Sequence, residues 1–185
     1  MAANEHSILK IASNLALACL CSGVVIGAVY YVTAPVAAQK AEEMKQESMR
    51  SLVSDADAFK EIAAAEAGCF AAQQGGKTIA YIVPSETKGY GGKIKMLVAV
   101  RTSGEVIDFN ILEHNETPGL GDNAQKPEFR QQFAGKTAEN LEVTKDKGQS
   151  EMIQALTGAT ISSRAVALGV KQAVQKAQEL AEGGN

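Results

Sequence analysis

The sequence is poor in the side chains that hold most protein-bound metals, and this scarcity excludes several classes of protein. Its 185 residues contain no tryptophan, two histidines and three cysteines. Cys19 and Cys21 lie inside an apolar run and Cys69 stands alone, so they supply neither a zinc or Fe–S ligand set nor a disulfide framework. We therefore predict no metal site and expect the cysteines to behave as small hydrophobic side chains.

Net charge is also small. A formal charge of −3 leaves no clustered basic surface of the kind that binds nucleic acid, so we expect no nucleic-acid partner. No Gly-x-Gly-x-x-Gly motif follows a predicted strand, which excludes that type of dinucleotide site. The apolar fraction of 45% is ordinary for a packed domain, and the length allows one globular domain plus a membrane anchor.

Charged residues are missing altogether between Lys10 and Lys40. Within this stretch, Ile11 to Val32 is almost continuously apolar, and at about 1.5 Å per residue it is long enough to cross a bilayer core of about 30 Å. We predict a transmembrane helix over residues 11–34, with an exit at Pro35. A cleaved signal peptide is the alternative, but its apolar core would span only about 7–15 residues.

Residues 37–67 are rich in strong helix formers, and their apolar positions are interrupted near Ser54–Asp57. We predict two helices there. The resulting division is a tail at 1–10, a helical spacer at 35–71 and a globular domain at 72–185.

The globular domain opens with short β-branched and apolar runs. The spacing between them is too short for crossover helices, so the sheet should be at least partly antiparallel. We predict strands over 78–83, 94–100 and 106–112, and an α+β fold that closes with a C-terminal helix.

That helix is predicted from apolar residues that recur at three- and four-residue steps between Arg164 and Leu180. It is preceded by the hydroxyl-rich loop Thr157–Ser163, in which Gly158 allows a tight turn and Ser162 or Ser163 can act as the N-cap. The free N–H groups of a first helical turn, together with the helix dipole, suit a phosphate. A capped helix start without any ligand is the plain alternative.

A second informative loop is Glu116–Gly121, where Pro118 and Gly119 set a rigid turn. Such a loop can hold Glu116 and Thr117 in a fixed direction, which suits a flat ring with polar edges. His114, just before it, is expected to hydrogen-bond its neighbours and to lie near the ligand without taking part in the chemistry. The glycine-rich loop with Gly89 and Tyr90 is a weaker candidate for ligand contact.

Both loops resemble the hallmarks of a known family. Thr157-Gly158-Ala159-Thr160 resembles the (Ser/Thr)-Gly-Ala-Thr signature, and Glu116-Thr117-Pro118-Gly119-Leu120-Gly121 resembles the second hallmark, of the FMN-binding domain found in the G subunit of Rnf electron-transport complexes and the C subunit of the sodium-pumping NADH:quinone oxidoreductase. Phe129 and Phe133 match the segment between the two hallmarks. The chain departs from the signature at Gln154, where the family usually has Asp.

The resemblance implies a covalent FMN, joined by a flavin transferase through its phosphate to Thr160. It places Thr157, Gly158, Ala159 and Ser162 with Thr160 on the phosphate side. The Glu116–Gly121 loop, with Gly119 and Leu120, would pack on the isoalloxazine ring, and Gly89 and Tyr90 would contribute from a neighbouring turn.

The implied function is an electron relay in a bacterial cytoplasmic (inner) membrane complex that couples ferredoxin and NAD electron transfer to ion translocation. The implied partners are membrane lipid, Fe–S subunits, a second flavin subunit and an NAD-reactive subunit. The length favours the Rnf G subunit over the usually longer C subunit.

The resemblance also implies an extracytoplasmic domain, whereas Lys40, Lys45 and Arg50 after the span favour a cytoplasmic one. Because long domains translocate largely regardless of flanking charge, we expect the extracytoplasmic side. A flavin-free scaffold that binds helical partners through Gly23 and Gly27 is the competing hypothesis.

Overall fold

The computed structural model describes residues 2–62, 68–145 and 152–183. These residues fall into two compact units, Met1–Met44 and Lys45–Asn185.

Helix α1 runs without interruption over Ala2–Leu52. In the first unit its Leu, Ile and Val side chains are exposed, and in the described part of the chain it is the one helix long and apolar enough to cross a membrane. The predicted span at 11–34 lies inside it, and the helix also covers the predicted tail from Ala2 and continues through Pro35, so where it leaves a membrane stays a prediction. Proline removes only one backbone hydrogen bond, and the strong helix formers that follow Pro35, among them Ala37 and Ala38, favour helix enough for it to continue.

The second unit is built on a five-stranded sheet in the order β1-β2-β3-β4-β5, with every neighbouring pair antiparallel. The strands are β1 Ala58–Glu61, β2 Phe70–Gln74, β3 Lys77–Lys88, β4 Lys93–Arg101 and β5 Val106–Glu113. The predicted antiparallel meander is therefore confirmed in β3, β4 and β5, each longer than predicted.

The predicted helical spacer at 35–71 is wrong in its second half. The second helix expected there is replaced by β1 and the start of β2, and residues 63–67 lie outside the described part. The Ala, Gln, Lys and Glu residues of these strands have low strand propensity, but the pairing of β2 with β3, and of β1 with β2, overrides it. The domain also begins earlier than residue 72, because the second unit starts at Lys45.

Strand β3 passes through Pro84, where the sequence predicted its end. On the β2 side, pairing stops at Ile82, which lies opposite Phe70. The N–H group that Pro84 lacks therefore has no β2 partner to lose, and the strand tolerates the proline.

Both faces of the sheet are buried. Along β4, Ile94, Met96, Val98 and Val100 belong to one hydrophobic cluster, and Leu97 and Ala99 belong to the other. Helix α3, Thr160–Gly183, covers the first face with Val166, Val170 and Val174, while the end of α1 covers the second with Met49 and Leu52. Because successive side chains of a strand point to opposite faces, β4 contributes to two hydrophobic cores. The first core lies between the sheet and α3, and the second core lies between the sheet and the end of α1.

Between β5 and α3 the chain forms short elements. They are 3₁₀ turns at Gly121–Gln125, Gln131–Phe133 and Ala138–Asn140, helix α2 at Pro127–Arg130, and the parallel pair β6 Val143–Thr144 and β7 Ile153–Gln154. Phe133 packs edge-on against Phe109 and Phe129, with ring centroids 5.0 and 5.3 Å away. The Phe129 and Phe133 motif is therefore part of the first core.

Candidate functional site

A cavity of about 840 Å³ lies where the loop after β5, the segment after β7 and the first turn of α3 meet. Ten of the residues predicted for the site line it: Tyr90, Glu116, Thr117, Leu120, Gly121, Thr157, Gly158, Ala159, Thr160 and Ser162. Gly89 and Gly119 are not among its lining residues. The two loops that the sequence singled out, Glu116–Gly121 and Thr157–Ser163, therefore line the same cavity.

Helix α3 begins at Thr160, which is half-buried and lines the cavity. The prediction of Ser162 or Ser163 as the N-cap is wrong, because both lie inside the first turn. Gly158, at a φ of +77°, turns the chain earlier, and the Ala159 carbonyl already accepts the N–H of Ser163 at 3.0 Å. The backbone N–H groups of that first turn have no partner within the helix and can face a ligand.

Ser163 closes the loop from within. Its hydroxyl oxygen accepts the N–H of Leu156 at 3.0 Å and donates to the Ala159 carbonyl at 2.9 Å. Ser163 is fully buried, so this pair of bonds fixes the loop before α3 without facing solvent. The sequence therefore indicated Ser163 correctly as a structural residue of this loop, but its role is to bond Leu156 and Ala159 and not to cap the helix.

Glu116 is the buried charged side chain of the cavity wall, with 6% of its surface exposed. Its Oε1 accepts the backbone N–H of Gly91 at 3.0 Å, and its Oε2 accepts the hydroxyl of Ser162. Its own backbone N–H donates to Nδ1 of His114 at 3.2 Å. The expectation that His114 hydrogen-bonds its neighbours is confirmed, and His114 is not among the residues that line the cavity.

Three glycines make this arrangement possible. A Cβ atom at Gly89 or Gly121 would overlap the Glu116 carboxylate, and one at Gly91 would overlap the carbonyl of Asn115. Gly89 therefore supports the wall from behind without lining the cavity. No pattern in the sequence reveals the packing of Gly89 and Gly91, because these residues of the β3–β4 turn meet Glu116, after β5, only where β4 and β5 pair.

Gln132 is a residue that sequence reasoning missed. Its Oε1 accepts the backbone N–H of Gln154 at 2.7 Å, and its Nε2 donates to the Gln154 carbonyl at 3.5 Å. It thereby holds β7, the strand that leads to Thr157. The Gln154 side chain lies at the cavity and is exposed, and within the described ranges it makes no hydrogen bond to the loop before α3.

Lys145, at the end of β6, was also missed, and it is the one basic side chain among the described residues that line the cavity. Ion pairs also lie on the sheet: Lys93 on β4 bonds Glu86 on β3 at 2.5 Å, and Lys95 on β4 bonds Glu113 on β5 at 2.6 Å. The hydrogen bond from Lys93 lowers the pKa of Glu86, and that from Lys95 to Glu113 raises the pKa of Lys95. Both pairs are exposed, so each contributes little to the stability of the sheet.

The residues of the cavity fit a flavin mononucleotide. The volume of the cavity lies within the range of roughly 300–1,000 Å³ that is usual for small-molecule sites. Leu120, Leu156 and Ile161 offer apolar contacts, Thr157 and Thr160 offer hydroxyls, and the start of α3 offers N–H donors for a phosphate.

Comparison with known proteins identifies the family. Residues 89–175 match the family model of the FMN-binding domain. Over 173 residues the chain is 54% identical to the G subunit of the proton-translocating ferredoxin:NAD(+) oxidoreductase complex of Clostridium ljungdahlii, and the match covers 94% of this chain and 93% of that one. The chain belongs to this family of G subunits.

Two further comparisons cover less of the chain. The G subunit of the Na(+)-translocating ferredoxin:NAD(+) oxidoreductase complex of Acetobacterium woodii is 40% identical over 111 residues, which cover 58% of this chain and about half, 53%, of that one. Among solved structures, NqrC of Shewanella oneidensis matches with a TM-score of 0.52 at 24% identity, over 62% of this chain and 60% of that one. This likeness confirms the fold of an antiparallel sheet with a C-terminal helix.

Proposed function

We propose that the chain carries one FMN, joined through its phosphate to Thr160, and relays electrons within an ion-translocating ferredoxin:NAD oxidoreductase complex like those of its relatives. The observation that carries the proposal is the cavity wall, which brings the first residue of α3 together with the Glu116–Gly121 loop. The family assignment supports the same ligand, because the matched domain is described as FMN-binding.

Bound FMN supplies one- and two-electron transfer at its ring. Leu120, Leu156 and Ile161 would contact its apolar surfaces, and the N–H groups of the first turn of α3 would hold its phosphate. Lys145 would add positive charge near a ligand that carries negative charge on its phosphate. Tyr90, 71% exposed, would cover the ligand from the solvent side of the wall.

Attachment requires a flavin transferase and a flavin dinucleotide as the donor. The Thr160 hydroxyl oxygen forms a bond to the flavin-side phosphorus, the P–O bond of the pyrophosphate breaks, and a nucleoside monophosphate leaves. The hydroxyl proton passes to a base of the transferase. Thr160 suits this reaction because it is half-buried and lines the cavity, whereas the nearby hydroxyl of Ser162 is buried and donates to Glu116.

The cavity supports a relay in preference to the conversion of a bound substrate. In the described part of its wall, Glu116 is the one carboxylate, and both of its oxygens already accept hydrogen bonds. His114 is held by the backbone of Glu116 and does not line the cavity. Electron transfer through a flavin needs no protein base, so this wall suits it.

We further propose that α1 anchors the chain in the bacterial cytoplasmic membrane, with the second unit on the extracytoplasmic side. The exposed apolar surface of its first unit supports the anchor. The partners we propose are the other members of the complex, including Fe–S, flavin and NAD-reactive subunits, together with the flavin transferase that matures the protein.

The test is Thr160→Ala, with Thr157→Ala as the matched control. Each full-length variant is co-expressed with a flavin transferase, and intact mass and in-gel flavin fluorescence are measured after denaturation. We expect covalent flavin on the unchanged chain and on the Thr157 variant, and none on the Thr160 variant. Flavin mapped to Thr157, Ser162 or Ser163, or no covalent flavin on the unchanged chain, would overturn the attachment.

A further inference from the structure

We infer that Glu116 is a positioning residue whose buried carboxylate joins the 89–92 loop, the loop after β5 and the start of α3, and so holds the cavity open for its ligand before the ligand binds. This inference deepens the proposed function and relies on it only for the identity of the ligand. Glu116 acts through Gly91 and Ser162, and the contacts that carry the inference all lie within the protein.

The two oxygens of the carboxylate serve two different segments. Oε1 accepts the N–H of Gly91 at 3.0 Å, and Oε2 accepts the hydroxyl of Ser162 in the first turn of α3. Hydrogen bonds to a charged acceptor are roughly twice as strong as neutral ones. One side chain from the loop after β5 therefore ties down both neighbouring segments.

No cation competes for this carboxylate, since none of the ion pairs in the described ranges involves Glu116. With 6% of its surface exposed, the side chain has little access to water. The carboxylate therefore relies on these two donors for its hydrogen bonds, and losing either one leaves a buried polar group poorly satisfied. The three segments stabilise one another or come apart together.

Steric packing fixes the same geometry from both sides. Gly89 and Gly121 lie so close to the carboxylate that neither position has room for a Cβ atom. On the sides of Gly89 and Gly121, the Glu116 carboxylate therefore has no free space into which it could move. The hydrogen bond from the backbone N–H of Glu116 to Nδ1 of His114, at 3.2 Å, fixes the backbone from which this side chain projects.

The position of Ser162 links this cluster to ligand binding. Ser162 lies two residues after Thr160 in the same turn, so its bond to Glu116 sets where the start of α3 stands relative to Leu120 and Gly121. A ligand that must contact both loops meets a preformed site. Preformed sites bind more tightly, because less conformational freedom is lost on binding.

The first experiment uses the full-length chain in detergent without flavin. Glu116→Ala, Ser162→Ala and the double variant are compared by thermal unfolding, with Glu113→Gln, an exposed carboxylate on β5, as the control. We expect the unfolding temperature to fall by about 5 °C in Glu116→Ala. The double variant should fall no further than Glu116→Ala, because the two side chains share one bond. Additive falls would overturn the inference.

Glu116→Gln keeps the shape and removes the charge, and it decides the matter if Glu116→Ala fails to fold. The Gly91 amide signal in NMR spectra of the flavin-free chain reports the bond to Oε1. We expect this signal to shift slightly in Glu116→Gln and strongly in Glu116→Ala. A Gly91 signal that does not move in Glu116→Gln, or in Glu116→Ala where that variant folds, would overturn the inference, whatever happens to flavin.

The second experiment measures the affinity for free FMN by fluorescence quenching in a Thr160→Ala background. We expect a loss of roughly thirtyfold for Glu116→Ala, about fivefold for Glu116→Gln and none for Glu113→Gln. Equal affinities in all variants would overturn the inference and leave the proposed function standing. If no variant, including the background itself, binds FMN, the proposed function fails, while the coupling measured without flavin still tests the role of Glu116.

Discussion

The first core and the cavity wall lie in the same unit but achieve their shapes differently. In the core, Phe109, Phe129 and Phe133 are at most 1% exposed and pack ring against ring. In the wall, shape comes from a buried carboxylate, hydroxyls and glycines with no room for a methyl group. The stabilisation from apolar packing grows with the apolar area that is buried, whereas the shape of the cavity wall depends on a few directional hydrogen bonds. The two regions should therefore respond differently to substitution.

The largest expected effect is on the core. Phe133→Ala removes a fully buried ring and should lower the free energy of unfolding by about 3–5 kcal/mol. The molecules that remain folded should still take up flavin. Denaturant unfolding of the full-length chain measures the first quantity and intact mass the second.

Phe70→Ala on β2 is the matched control. Its ring is only partly buried, beneath the ammonium of Lys45 at 4.7 Å, and its loss should cost about 1–2 kcal/mol. The comparison fails if the two variants lose equal stability, or if folded Phe133→Ala cannot bind flavin.

Gly91→Ala should give the opposite pattern. The added methyl group would collide with the Asn115 carbonyl, so the 89–92 loop must shift and its bond to Glu116 must lengthen. We expect affinity for FMN to fall about tenfold or more, with a loss of unfolding free energy of only about 1–3 kcal/mol. Gly183→Ala, where a Cβ meets open space, is the control and should change neither quantity.

The smallest effect is expected at Gln154, whose side chain is exposed and whose backbone is held by Gln132. Gln154→Asp restores the residue usual in the family's signature. Stability should stay within about 0.5 kcal/mol, because the substitution lies on the surface. The flavinylated fraction should rise, or at least not fall, when transferase is limiting, as measured by mass spectrometry. A lower fraction would show that this chain uses its own version of the signature.

The sequence predicted those parts of the fold that rest on local patterns. The β-branched runs of β3, β4 and β5 and the amphipathic period of α3 were sufficient, since each pattern matches the burial of its element. Strands β1 and β2 were missed because most of their residues favour helix; β2 gains its pairing from β3, and β1 gains its pairing from β2. The Gly75 and Gly76 turn, at φ of 56° and 79°, was the signal that could have revealed the β2–β3 hairpin.

At the site, the two loops were predicted but the contacts between them were not. Turn chemistry and hydroxyl content indicate where a loop can bind, so Thr160 and the Glu116–Gly121 loop were found. The bond from Ser162 to Glu116 joins residues far apart in the sequence, and it exists only because the sheet and α3 bring them together. Gln132 and Lys145 were missed for the same reason.

The second core has a practical consequence for anyone who wants the flavin domain without its membrane anchor. Met49, Leu52 and Val53, near the end of α1, cover Ala80, Ile82 and Leu97 on the sheet. A soluble fragment cut at residue 72 would discard that cover together with β1 and the first two residues of β2, and would leave an apolar sheet face and part of the β3 edge open to self-association. Recombinant work should therefore begin at Lys45, where the second unit starts.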